Sequence, residues 1–124
     1  MNMNTTDSGA RPVVHLELHT PDRIAASAFY ARLLGWRPEL IETIRGSYLA
    51  LDLGGGLDGG VVECGIGRPV WLPYVEVQQI EEYAARAEGL GARVLLAPRE
   101  GPAGWRCVVL TPEGGKMAFW QPKR

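Results

Sequence analysis

Two imidazoles and a carboxylate alternate along one short apolar segment, where His15, Glu17 and His19 interleave with Val14, Leu16 and Leu18. This is the period of a half-buried strand, whose successive side chains point to opposite faces. One face is apolar and the other can do chemistry. His15 is a candidate ligand contact or proton carrier, the alternative being an imidazole hydrogen-bonded to a neighbouring carboxylate or backbone group in a polar cavity. His19, near the strand end, reads as the more solvated of the two. Glu63 is the second carboxylate of interest. Buried, it could act as a general base, since burial raises a carboxylate pKa toward neutrality; exposed, it is an ordinary strand residue.

Aromatic residues supply the other half of a binding site. Tyr74 shares a strand face with Leu72 and offers a hydroxyl, Trp120 shares one with Ala118, and Trp105 follows a glycine-containing loop. Apolar walls with a few polar groups describe a small-molecule pocket. Trp36 and Trp71 read as core. Other motifs fail on context. Gly54 to Gly59 matches GxGxxG in form, but a strand follows it rather than the helix a dinucleotide site needs. Gly115-Lys116 lacks the rest of a phosphate loop, and neither Ser27 nor Ser47 belongs to a nucleophile triad.

The elements that must position these residues follow from period and punctuation. After the strand at Pro12 to His19, Thr20-Pro21-Asp22 opens a helix, with Thr20 as expected N-cap, Ile24, Ala28, Ala31 and Leu34 as apolar stripe, and Gly35 as stop. Strands are expected over 36–44, 48–53 and 60–64. The second half repeats this order, with a strand over 70–77, a helix over 79–88 carrying Ile80, Tyr83, Ala84 and Ala87 on one face, and strands over 92–96, 105–110 and 116–120. Leu34-Gly35 matches Leu90-Gly91 at an offset of 56 residues, and Gly59-Gly60 matches Gly114-Gly115 at 55. The expected organisation is a flexible segment over 1–11 and two β-α-β-β-β modules over 12–66 and 69–122, together one domain. Each module leaves one sheet face uncovered. The fold class is thus α+β, with the two modules curling into a cup-shaped mixed sheet, helices on the outer face, and a shared cavity lined by the uncovered positions.

Composition narrows the partner. Thirteen basic against fourteen acidic residues give a net charge of -1, without the basic excess that nucleic-acid or membrane-surface binding calls for. No apolar run approaches the roughly 20 residues of a membrane span. Cys64 and Cys107 have no CxxC spacing and read as reduced residues of a cytoplasmic protein. A small molecule is the expected partner.

The run His15-Leu-Glu-Leu, Asp22, then Ser27-Ala-Phe29-Tyr30 to Leu34-Gly35-Trp36 resembles the opening of the vicinal oxygen chelate superfamily, which includes glyoxalases, bleomycin-resistance proteins, fosfomycin-resistance enzymes and extradiol dioxygenases. Tyr74-Val-Glu-Val77, Leu90-Gly91 and Thr111-Pro112-Glu113-Gly114-Gly115 extend it through the second module. In metal-dependent members, ligands come from the first and last strands of each module, where they hold an ion such as Zn, Ni, Mn, Fe or Co. Carried over, these positions are His15 and, by the pairing of Gly59-Gly60 with Gly114-Gly115, Glu63 in module one; in module two they are Leu72, or Trp71 if the register is one residue off, and Ala118, none of which can bind a metal. Two ligands, with Glu17 or His19 as improvised help, make a weak site.

The resemblance therefore implies a small-molecule binding protein of the bleomycin-resistance type, expected to hold no metal and no other cofactor, to form a homodimer, and to take its ligand with His15, Glu17, Glu63, Leu72, Tyr74, Trp105, Ala118 and Trp120. The competing expectation is a divalent-metal lyase, isomerase or dioxygenase using His15 and Glu63. A third is a metal-free enzyme in which Glu63 or His15 moves a proton next to a carbonyl.

Overall fold

Alternation in the first strand becomes two distinct faces in the computed structural model, which describes residues 11–44, 46–65, 67–101 and 103–123. In β1 (Val13–Thr20), Leu18 and Thr20 are buried while His15, Glu17 and His19 are half-buried on the opposite side. α1 (Arg23–Leu34), β2 (Pro38–Thr43), β3 (Gly46–Asp52) and β4 (Asp58–Glu63) follow. These strands order as β2-β3-β4-β1, with β1 and β4 parallel and the other pairs antiparallel. Leu18, Leu51 and Val61 form the core, packed by Tyr30, Trp36 and Trp71. Trp36 and Trp71 are thus core residues as expected, with Tyr30 stacked 5.7 Å from Trp36 and accepting a hydrogen bond from Trp71 Nε1 at 3.2 Å.

α1 departs from its expected cap and stripe. Asp22, not Thr20, is the N-cap: its carboxylate accepts from Ala25 N at 3.0 Å, while Thr20 is buried and its hydroxyl accepts from Asp22 N. The stripe Ile24, Ala28 and Leu34 faces outward, with Ile24 76% exposed, and the packed face is Ala26, Ser27 and Tyr30. Apolar residues surround this helix on all sides, so its pattern selects no unique face. Packing selects the side whose small residues permit close approach and whose Tyr30 reaches both tryptophans. Ser27 is tolerated there because its hydroxyl donates to Arg23 O at 2.6 Å. Gly35 ends the helix in the left-handed region with φ 75°, where a side chain would be strained.

The second set comprises β5 (Val70–Glu76), α2 (Ile80–Gly89), β6 (Arg93–Glu100), β7 (Gly104–Leu110) and β8 (Lys116–Pro122), in the order β5-β8-β7-β6 with β5 and β8 parallel. Here the expected helix face is the packed one: Ile80 and Ala84 are buried with Val77, Cys107, Val109 and Phe119, and Tyr83 and Ala87 lie against them. β6 continues through Pro98 to Glu100, where a loop was expected from Pro98. It is the last strand in its order, and its ladder is irregular just there, between Leu96 and Arg99, so a residue without an N–H is accommodated. The fold class is α+β, built from two β-α-β-β-β sets with one helix each.

Two compact units divide the chain, Val14–Pro73 and Tyr74–Arg124 with residues 11–13, a division that falls inside β5. Arg11, placed in the lead-in by sequence, donates from Nε to the Tyr83 hydroxyl at 2.8 Å; residues 1–10 lie outside the described residues. Both cysteines are free; burial, and then the negative charge of Glu88, push the Cys107 thiol above its ordinary pKa. Among the described residues, no helix is long and apolar enough to cross a membrane.

Candidate functional site

Alternation along β1 brings His15, Glu17 and His19 together. Glu17 sits between them: one carboxylate oxygen lies 2.8 Å from His19 Nε2 and the other 3.5 Å from His15 Nε2. The Glu17 side chain is 12% exposed, against 27% and 26% for the two histidines. A largely desolvated carboxylate is expensive without hydrogen-bond partners, and flanking imidazoles provide them. Gly60 is the parallel partner of Glu17 and leaves open the space beside the His15 ring, since a Cβ there would lie 3.7 Å from His15 Nε2. The trio can orient a polar ligand group or pass a proton between imidazole and carboxylate.

Glu63 is not part of this group. In the β1–β4 register it pairs with Thr20, on the side of Leu18 and Val61, whereas the residue level with His19 is Val62. Its carboxylate is exposed and accepts from Arg23 N at 3.2 Å, at the first turn of α1, where a negative charge meets the positive end of the helix dipole. The pairing of Glu63 with His15 is therefore corrected. An offset of one residue flips a strand's faces, and the 55-residue match between glycine pairs carried that error. The 56-residue match between Leu34 and Leu90 makes Val62, not Glu63, the repeat equivalent of Ala118 and already held the right register.

In the second unit, Tyr74 pairs with Ala118 and Glu76 with Trp120, on the face opposite the one packed on α2. Tyr74, Ala118 and Trp120 thus share a face as alternation predicted; Leu72, on the first unit's part of β5, is 1% exposed. Trp105 is corrected. It lies on the Cys107 and Val109 side, packed against the α2 core, with the Lys123 ammonium 5.8 Å from its ring centroid. Arg106, which the sequence reading passed over, takes its place: it pairs with Trp120, and its Nη1 donates to the Tyr74 hydroxyl at 3.5 Å. The signal was the alternation of Trp105, Cys107 and Val109 with Arg106 and Val108, which puts the arginine on the tyrosine side.

The donor set for a bound divalent ion does not fit the four-ligand arrangement that the sequence resemblance implies. Glu63 serves the α1 terminus, Leu72 and Ala118 carry no donor, and no group of three or more His, Cys, Asp or Glu among the described residues is placed to hold a metal ion.

No protein-family model matches the sequence, and no curated protein matches it significantly. Solved structures do resemble the chain. A hypothetical protein of Bacillus halodurans superposes with a TM-score of 0.71 at 14% identity, covering 93% of this chain and 96% of that one. Methylmalonyl-CoA epimerase from Mycobacterium tuberculosis gives 0.62 at 15% identity, over 90% and 88% of the two chains. A variant methylmalonyl-CoA epimerase from Streptomyces coelicolor, in complex with 2-nitronate-propionyl-CoA, gives 0.62 at 17% identity over 90% and 97%. At these identities the likeness is one of fold alone. The likeness extends over nearly all of the paired β-α-β-β-β architecture of this chain.

Proposed function

We propose that the chain binds a small organic molecule on the polar face of β1, through His15, Glu17 and His19, without the four-ligand metal centre of its metal-dependent fold relatives. The observation that carries this reading is the placement of Glu17, held between two imidazoles while Glu63 turns to the helix. Half-buried polar groups that interact with one another at a partly open face are suited to orienting a ligand. Among the structural neighbours, methylmalonyl-CoA epimerases are seen in complex with methylmalonyl-CoA and with 2-nitronate-propionyl-CoA, so methylmalonyl-CoA is the first probe.

Two measurements test it. Protein exposed to Ni, Zn, Mn, Fe(II) or Co and desalted is expected to retain far less than one metal per chain; stoichiometric metal lost in His15→Ala would instead support the metal-dependent lyase, isomerase or dioxygenase. A panel of carbonyl and carboxylate metabolites, with methylmalonyl-CoA included, is expected to contain a compound that raises the melting temperature of the wild type and not of Glu17→Gln. No such compound, or equal shifts in both proteins, overturns the reading. A homodimer belongs to the same proposal, and sedimentation as a 13.5 kDa monomer would remove that part.

A further inference from the structure

We propose that the α2-distal face of the second unit's sheet is a subsite for a doubly charged oxyanion, the phosphoryl group of a small phosphate monoester, held between Arg99 and Arg106 and bordered by Trp120. Arg99 and Arg106 are direct partners across the antiparallel β6–β7 ladder, and both side chains are exposed. Residues so paired hold their Cβ atoms about 5 Å apart, and like charges in that position repel. Neither guanidinium meets a carboxylate among the described residues. Glu100, next along β6, is paired with Trp105 in the ladder and takes Lys123 at 2.9 Å. Glu76 lies in the same row but two strands away, with Trp120 between it and Arg106, roughly 10 Å by strand spacing.

Shifts in the ladder's register create this pair. Continuing the register of Arg93 with Leu110 and Val94 with Val109 would set Ala97 opposite Arg106. Two irregularities, between Val94 and Leu96 and between Leu96 and Arg99, bring Arg99 there instead. Bulges that re-aim a side chain are over-represented beside binding sites. The neighbouring indole is also held in place. A Cβ on Gly104 would come within 2.8 Å of Trp120 Cζ2 and collide with the Gln121 carbonyl, so the bare glycine lets the ring lie against the backbone. The result is a row of indole, guanidinium and guanidinium on β8, β7 and β6. Two guanidiniums present forked N–H donors to the oxygens of one phosphoryl group, whose two negative charges balance theirs, whereas a carboxylate ligand would neutralise only one guanidinium. Trp120 offers a flat wall to the organic part.

This inference does not rest on the β1 face, and either can fail without the other. The probe is phenyl phosphate, titrated above pH 7 into the full chain in phosphate-free buffer and followed by calorimetry and tryptophan emission, with phenyl sulfate and benzoate as singly charged controls. The expected result is saturable binding of phenyl phosphate, about tenfold tighter than either control and weakened about tenfold in Arg99→Gln and in Arg106→Gln. Without ligand, Arg99→Gln should melt about 1–4 °C higher than the wild type, because a repulsion is removed. Equal affinity for phenyl phosphate and benzoate, unchanged binding in the double variant, no saturation at millimolar phenyl phosphate, or a lower melting temperature for Arg99→Gln would each overturn the proposal.

Discussion

The two units repeat one element order and use it to opposite ends. In the first, the helix buries little beyond Ser27 and leaves Ile24, Phe29, Leu33 and Leu34 exposed, while the polar strand face is closed on itself through Glu17. In the second, the helix is embedded through Ile80 and Ala84, while the strand face carries two facing arginines with no carboxylate among the described residues to meet them. Backbone topology is set by where strands and helices begin and end. Chemistry is set by which of two alternating faces a side chain occupies, and the two can change independently.

The largest effect should separate the two helices. Phe119→Ala, cutting into the core beneath α2, is expected to lower unfolding free energy by about 3–4 kcal/mol in urea titration, whereas Ile24→Ala on α1 should stay within about 0.5 kcal/mol. Comparable losses at both positions would show that the outer side of α1 is covered in solution and break the comparison. Gly104→Ala comes next, at about 1–3 kcal/mol, with altered tryptophan emission because the methyl group displaces Trp120. Unchanged emission would mean that the indole does not rest on residue 104.

Capping sharpens the contrast. Asp22→Ala should cost about 1 kcal/mol, since that carboxylate caps α1. Gln79 makes no side-chain cap bond at α2, where Gln121 Oε1 accepts from Ile80 N instead, so Gln79→Ala should be nearly silent. Glu63→Gln should lose about 0.3–1 kcal/mol at low salt, from its charge at the helix terminus, and leave ligand binding on β1 unchanged. A loss of binding with stability intact would return Glu63 to the site. The smallest effect concerns the thiols. Cys64 should alkylate readily in the native protein and Cys107 only on unfolding. Because the Cys107 pKa is raised by folding, the native thiol keeps its proton where the unfolded one has lost it. Stability should therefore decline as pH rises above the ordinary thiol value of 9.0. Stability flat through that range would show that the thiol is not desolvated.

Much of the fold was legible because its signals are local. Alternation located β1, glycines ended elements, and the helical period of Ile80, Tyr83, Ala84 and Ala87 named the buried face of α2. α1 was illegible in the same way, since a helix apolar on every side names none. The candidate site was legible only in part. His15, Glu17 and His19 lie on one strand, so their common face follows from period alone. Glu63 belongs to another strand, and its face depends on a register that glycine echoes gave to within one residue, which in a sheet is the difference between opposite sides.

The amino-acid sequence by itself determined the element order, the duplication, the polar face of β1 and the apolar character of the Leu72 and Ala118 positions, because each is a matter of residue type and spacing within one segment. Only the tertiary structure decided that Glu63 serves the α1 terminus, that Trp105 belongs to the α2 core, and that Arg99 meets Arg106. Those outcomes depend on pairing between strands, where a shift of a single residue exchanges one face for the other and leaves the sequence pattern of each strand unchanged.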